Sequence, residues 1–400
     1  MRAGIGTLAI LGVATVTAVV IGVMSVIIIR AHEGALVAQL TRSADQLSET
    51  ERTLLFTVAC IILRSDAGSV AAQLDAIAGP PVPLPPLMQS RPGMLQSLPL
   101  ARPDWLLFDN GIGGFDPGGS EYVMHLEPGQ TTPAPWVNVI ANPRLGFVVS
   151  ESGGGYTWAE NSYENRLTPW RNDPIADEPC ETIYLRDEET AAVWSATPLP
   201  APGPAAYQVV HGAGRTSFTH TSHGLRQHLQ LFVPVADPVK ILHLRVTNGP
   251  ERPRRITVTY YAEWVLGTLR DANQAFVVPE FDAAAEVLLA RNPWNEGFAD
   301  RVAFAAASTR LHGLTADRAE FLGRRGTRAA PAALTRIGLA RAVQAGLDPC
   351  AALQIHVDIA PGETKDVYFL LGQAASRHEA IELVARYREP GVVEETLAAV

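Results

Sequence analysis

The sequence predicts a mainly β protein: an antiparallel β-sandwich, preceded by an N-terminal transmembrane helix and short helices and followed by the start of a helical linker. Three observations carry this. Residues 3 to 29 hold no charged side chain. From about residue 105, short apolar-alternating runs broken by Gly, Pro and Asn recur every 8 to 15 residues or so, as in antiparallel sandwiches. After residue 375 the apolar spacing becomes helical.

The elements follow in order. At about 1.5 Å per residue, the run AGIGTLAILGVATVTAVVIGVMSVIII reaches roughly 40 Å, enough to cross a hydrocarbon core of about 30 Å. A cleaved signal peptide would carry an apolar region of only about 7 to 15 residues. Residues 1–30 are therefore expected to be a transmembrane helix. Arg2 lies before it and Arg30 and Arg42 after it, so the charge rule places the C-terminal side in the cytoplasm. Residues 31–79 read as a helical segment. Ser48 and Glu51 have capping-box spacing ahead of LLFTVACIIL, a run too short to span a bilayer, and Gly68 is a plausible stop. PPVPLPP at 80 to 86 stiffens a linker over 80–104.

The sandwich is expected over 105–375. Its strands are read in YQVVHGAG, TSFTHT, LRQHLQLFVPV, KILHLRVTN, RRITVTYYAEWVLG, LQIHVDIAP and KDVYFLLGQ. Leu229, Leu231 and Val233 alternate against Gln230 and Phe232, so one face is buried. Residues 376–400 start the linker helices, with Ile381, Val384 and Ala385 on one stripe.

Composition narrows the function. A net charge of −9 and a pI near 5.6, without a basic cluster, argue against nucleic acid, whose phosphates need a concentrated positive face. Cys60, Cys180 and Cys350 are scattered, with no CxxC spacing, and read as unpaired buried thiols rather than a disulfide framework or zinc site; a Cys180–Cys350 bond is the alternative. His211, His220, His223, His228 and His243 cluster in a hairpin-rich region without HxH or HExxH spacing, so they read as cross-strand polar residues and no metal is expected. GGGY lacks the lysine of a phosphate loop, and no GxSxG is present. No cofactor is expected.

The chemistry concentrates between Trp136 and Asp187. Trp136, Trp158 and Trp170 stand there among Asn138, Asn142, Asn161, Asn165 and Asn172, with three consecutive glycines at 153 to 155. Indole faces suit pyranose rings, while amide, carboxylate and guanidinium groups suit hydroxyls. The same composition also fits a turn-rich sandwich corner, where Asn and Gly serve turns. Asp173 and Asp177, or Asp187 with Glu188 and Glu189, could supply the two carboxylates of a glycosidase, although RDEET reads as a polar hairpin turn.

The motifs also resemble a known family. FDNGIGGF, EYVMHL, TPAPWVNVIANPRLGF, SGGGYTWAENSYENRLTPWRNDP and IYLRDEETAAVWSATPLP are similar to the N-terminal supersandwich domain of glycoside hydrolase family 94, most closely as it occurs in cyclic β-1,2-glucan synthases. Cys180 stands where that family usually has glycine. The resemblance implies a β-glucan or oligosaccharide partner, a bacterial inner-membrane location and a possible homodimer. It further implies that catalysis belongs to an (α/α)6 barrel, on a longer or neighbouring chain. On this reading Trp136, Asn138, Trp158, Asn161, Asn165, Arg166, Trp170 and Asp173 line the sugar path, and this chain has no catalytic residue of its own. Two alternatives stay open: a membrane-anchored glycan-binding or scaffolding module, and a sandwich hydrolase using Asp173 or Glu181.

Overall fold

The computed structural model describes residues 100–400 continuously and, before them, residues 16–21, 25–30, 61–64, 69, 71–73, 84–87 and 90. It divides into two units, Met1–Pro83 and Leu84–Val400. In the first, β1 (Val16–Ile21), β2 (Ser25–Arg30) and β3 (Ile61–Arg64) form an antiparallel sheet in that order. Where described, the expected membrane helix is therefore extended chain. VTAVVI and SVIIIR are rich in β-branched side chains, whose stiff χ1 suits a strand. The rest of that apolar run lies outside the described residues, and among those described no helix is long and apolar enough to cross a membrane. The helix expected from LLFTVACIIL also lies mostly outside them, and its end from Ile61 is strand.

The second unit opens with β4 (Gly113–Phe115), β5 (Glu121–Leu126), β6 (Val137–Ala141), β7 (Leu145–Ser150), β8 (Gly155–Ala159), β9 (Glu181–Asp187) and β10 (Val193–Ser195). It continues with β11 (Tyr207–Gly212), β12 (Arg215–Ser222), β13 (Leu225–Phe232), β14 (Val239–Asn248) and β15 (Arg254–Glu263). After a helical turn, α1 (Arg270–Asn273), come β16 (Val278–Asp282), β17 (Val287–Arg291), β18 (Val302–Ala307) and β19 (Gly313–Asp317). Then follow α2 (Arg318–Leu322), β20 (Pro349–Ile359), β21 (Thr364–Ala374), α3 (Arg377–Arg388) and α4 (Val392–Ala398). The runs read as strands in the sequence are β11 to β15, β20 and β21, and the turn at Glu188 to Thr190 joins β9 to β10 as RDEET suggested.

Three antiparallel sheets result: a ten-stranded sheet in the order β16-β17-β18-β21-β14-β13-β12-β11-β5-β4, a five-stranded sheet β10-β9-β15-β20-β19 and a three-stranded sheet β6-β7-β8. The main core lies between the large sheet and the two smaller ones. Leu229, Leu231, Leu242, Leu244 and Phe369 from the large sheet meet Phe147, Ile183, Val258, Tyr260 and Ile355 from the others.

Lys240 on β14 crosses this core. Its Nζ lies 2.7 Å from Glu181 Oε2 on β9 and 4.2 Å from the centre of the Phe147 ring on β7. The other Glu181 oxygen accepts from Thr157 Oγ1 on β8 at 2.6 Å and from Thr168 Oγ1 at 2.5 Å. The side chains of Lys240 and Glu181 are only 5% and 7% exposed, so one ion pair joins all three sheets in the interior.

Each large sheet also covers its outer face. Ala380, Leu383, Val384 and Tyr387 of α3 and Val393 of α4 pack on Ile241, Phe304 and Leu370 of the ten-stranded sheet. The buried stripe of α3 is thus rotated from the expected Ile381, Val384 and Ala385. Ala385 is exposed, because the bulky Leu383 and Tyr387 bury more surface four residues apart. Over the five-stranded sheet, Phe321, Leu322 and Leu334 cover Tyr184 and Tyr261. Among them Glu263, fully buried, accepts from Arg318 and Arg328 at 2.9 Å each and faces Arg270 at 3.4 Å. Among the described residues of the expected linker, Pro86 O accepts from Ile337 N at 3.0 Å and Arg102 donates to Asp109 at 2.6 Å.

Cys180 and Cys350 flank Glu263 on the two neighbouring strands, since Glu263 N donates to Cys180 O and Glu263 pairs with Cys350. Two strand spacings put their Cα atoms roughly 10 Å apart, beyond the roughly 7 Å between Cα atoms that a disulfide allows, and both are free and buried. Cys60 lies outside the described residues.

Two predictions follow from this interior. Lys240→Met strands the Glu181 carboxylate and is expected to cost about 3–5 kcal/mol in urea denaturation. Lys240→Met combined with Glu181→Leu should cost less than the single change; an equal or larger loss would show that the pair does not act as a unit. The second concerns pH. His220 stacks on Tyr207 at 3.9 Å, and burial lowers its pKa to about 4. Burial, then the charges of His243 and Arg245, lowers His228 to about 4 as well. A depressed folded pKa gives stability that is complete above the ordinary value of 6.5 and lost as pH falls toward about 4. The denaturation midpoint should drop across that window, and His228→Gln should make the drop smaller.

Candidate functional site

The candidate residues lie on the three-stranded sheet, just before it, and on the segment that follows β8. The inner face of the sheet sends Ile140, Phe147 and Thr157 toward the core. On its outer face Val139, Val148 and Tyr156 stand in register, as do Ala141, Gly146 and Trp158. Val137 and Val139 are 53% and 60% exposed there. The Trp158 indole lies across Gly146, where any Cβ would collide with the ring.

Tyr156 is the hub. Trp170 stacks on it at 5.0 Å with planes 15° apart, and Trp158 lies 5.2 Å away on a tilt. The Arg166 guanidinium sits 5.4 Å from the Tyr156 centroid and 5.3 Å from that of Tyr163, which is 60% exposed. Arg166 is fixed by paired backbone bonds to Gly267 and by its own donation to Ser162 O and Thr268 O. The result is a preorganised aromatic and cationic platform whose outermost indole, Trp170, is 37% exposed.

The amides beside it shape the turns. Asn161 Oδ1 accepts from the N–H groups of Tyr163 and Glu164 at 2.9 Å, the Asx-turn pattern. Asn165 is 1% exposed and donates to Ala159 O at 2.9 Å and to Gln373 Oε1 on β21 at 2.6 Å. Asp173 accepts from the N–H groups of Ile175 and Ala176, and these hold its pKa below the usual value.

Trp136 and Asn138 lie elsewhere. Trp136 packs edge-on against Tyr122 at 5.9 Å, its N–H donates to Glu151 and its carbonyl meets the His211 ring. Asn138 Nδ2 is shared among Gly212 O, Arg215 O and Thr216 Oγ1 at 2.9 to 3.1 Å. Both fasten β6 to the β11–β12 hairpin. Of the eight expected residues, then, Trp158, Arg166 and Trp170 form the platform, Asn161, Asn165 and Asp173 build its surroundings, and Trp136 and Asn138 hold a different edge.

Where β8 ends, a cleft of about 430 Å³ opens between Arg144, Glu160, Arg301 and Gln373. Arg301 Nε donates to Glu160 at 2.6 Å and Arg144 to Glu379 at 2.9 Å. Asn165 holds the Gln373 amide at its floor. A planar ring beside charged and amide donors and acceptors is the chemistry that hydroxylated rings require.

Sequence reading missed Tyr156 and Tyr163 as platform members, though both stand in the aromatic run that holds Trp158. It also missed Glu151, and it named Asp177 only as one of a pair of carboxylates. Asp177 accepts from Ser150 and Ser152, Glu151 from Thr132 and Trp136 N, and burial raises both pKa values. Glu181 is held inside the core by Lys240 and two threonines. The histidines make local contacts, His211 with Thr216 and His228 with Thr219. Among the described residues no group of three His, Cys, Asp or Glu could hold a metal ion.

Asn165→Ala should lower stability by about 1–3 kcal/mol in urea denaturation, because Gln373 and Ala159 O lose a buried partner. Asn161→Ala, at an exposed turn, should cost less. Equal losses would mean that the buried amide adds nothing beyond the turn.

Comparison with known proteins agrees with this architecture. The family model for the glycosyl hydrolase 94 supersandwich domain matches residues 120–390. The cyclic β-(1,2)-glucan synthase NdvB of Rhizobium meliloti (strain 1021) is 38% identical over 67% of this chain and 10% of its own length. The N,N'-diacetylchitobiose phosphorylase of Vibrio furnissii is 27% identical over 72% of this chain and 36% of its own. The solabiose phosphorylase of Paenibacillus borealis is 28% identical over 72% of this chain and 38% of its own. The chain thus spans well under half of each relative. On the strength of its supersandwich domain, this chain belongs to the glycosyl hydrolase 94 family.

Proposed function

We propose that this domain is the carbohydrate-supporting body of a membrane-bound protein akin to the cyclic β-1,2-glucan synthases. In this reading it holds a β-glucan or oligosaccharide while a separate barrel domain, on a longer or neighbouring chain, carries the bond chemistry. One observation carries the proposal: the exposed Trp170 stacks on the buried Tyr156 ring with Arg166 beside it, and a cleft lined by Arg144, Glu160, Arg301 and Gln373 opens at the end of the strand that carries Tyr156. A pyranose face would lie on Trp170 and its hydroxyls would meet the cleft. Asn161, Asn165 and Asp173 serve that site by fixing the turns around it, and Trp136 and Asn138 by fixing the sheet beneath. The relatives that match this chain are named for a glucan and for small glycosides, which supports a saccharide as the ligand class. The uncharged run from 3 to 29 supports an anchor in the bacterial inner membrane.

The test is a titration of the chain with linear β-1,2-gluco-oligosaccharide, followed by tryptophan fluorescence and calorimetry. Trp170→Ala should weaken binding by about tenfold, which corresponds to about 1.4 kcal/mol. Undiminished affinity in a folded Trp170→Ala variant would remove the platform from the reading.

A further inference from the structure

The outer face of the ten-stranded sheet is only partly covered by α3 and α4. Beside them, four adjacent strands bring polar side chains into register. One row is Thr219, His228, Arg245 and Asp366, each directly opposite the next. The neighbouring row is Ser217, Gln230, His243 and Tyr368. A solvated sheet face needs only charge and β-propensity, yet these are mostly mid-length hydrogen-bonding side chains, and all but Arg245 and Asp366 are buried or half-buried.

Their bonding is incomplete in a consistent way. Asp366 Oδ1 meets His243 Nε2 at 2.5 Å and Arg245 Nε at 3.0 Å, which pins both side chains from one side. The terminal nitrogens of Arg245 then have no partner among the described residues, and its side chain is 49% exposed. His228 Nδ1 meets Thr219 Oγ1 at 2.8 Å, which fixes the ring and leaves Nε2 free. Ser217 and Gln230 likewise have no side-chain partner among the described residues. Tyr368 closes the α4 side, with its ring 4.6 Å from that of His243 and its hydroxyl on Glu394.

Guanidinium, imidazole, amide and hydroxyl groups are thus held in place with unused donors and acceptors, about 4.8 Å apart from strand to strand. That spacing is comparable with the repeat of consecutive pyranose units. The pairing of Arg245 with Asp366 leaves no strong net charge to select an anion, and the rows offer no apolar centre of the kind a protein interface buries. We propose that this panel is a second saccharide-binding surface, recognising the hydroxyls of a neutral oligosaccharide by hydrogen bonds, independently of the Trp170 platform. It shares the ligand class of the proposed function but none of its residues.

The test uses the full chain with histidine side chains isotopically labelled, titrated with linear β-1,2-gluco-oligosaccharide. The His228 imidazole resonances should move with saccharide, in the parent and in Trp170→Ala alike. Arg245→Ala should weaken that titration by about tenfold while the tryptophan fluorescence response persists. Should Arg245→Ala fail to fold, Arg245→Lys and Thr219→Val probe the same row. Static His228 resonances at about 1 mM saccharide, with Trp170 still responding, would overturn the panel alone. Movement that disappears in Trp170→Ala would also overturn it, since the platform would then be its source. Silence from both probes would remove both sites.

Discussion

The domain depends on a single buried charge pair. Lys240 and Glu181 meet where the ten-stranded, five-stranded and three-stranded sheets converge, and Thr157 and Thr168 satisfy the remaining carboxylate oxygen. Apolar burial alone specifies the register between sheets less sharply, since the hydrophobic effect is non-directional. A desolvated lysine must find its carboxylate, so registers that separate the two are penalised strongly. The pair thereby sets where β8 and β9 stand relative to β14, and β8 carries Tyr156 and Trp158. The geometry of the aromatic platform is inherited from this interior contact.

The same logic explains the outer layers. A sheet with apolar residues on both faces needs a second cover, and the chain supplies two. The C-terminal helices bury Ile241, Phe304 and Leu370, while the segment around α2 buries Tyr184 and Tyr261. Under that segment Glu263 is held by three arginines. Burial alone would raise its pKa, but the charges of Arg328, Arg318 and Arg270 outweigh it and keep the carboxyl below its usual range. Arginine suits this role because its planar fork can serve a carboxylate and a second acceptor together, as Arg328 does between Glu263 and Glu178.

Much of the β framework was legible in the sequence because period-two alternation is a local signal. β13 shows it plainly, with Leu229 and Leu231 inward and His228 and Gln230 outward. Shorter strands such as β6 and β8 were not resolved, since five residues interrupted by glycine and asparagine look like loop. The apolar N-terminus announced hydrophobicity but not backbone conformation, and the two stretches of it that are described are strand. At the candidate site, composition located the tryptophans but not the direction of the amides. Asn165 turns inward because Gln373, which lies 208 residues away in sequence, waits there. Asn138 does so because the β11–β12 hairpin presents three acceptors to it. Such partners are set by tertiary topology, which no local pattern encodes.

The placement of the two described thiols has a wider meaning. Cys180 and Cys350 are separated by the strand that carries Glu263, and burial pushes the Cys180 pKa up to about 12 and that of Cys350 well upward too. Burial thus disfavours in both the thiolate that attacks oxidants or disulfides, and neither can reach the other. Neither group can therefore register the redox poise of its surroundings, so this part of the fold would tolerate a reducing cytosol or an oxidising periplasm equally well.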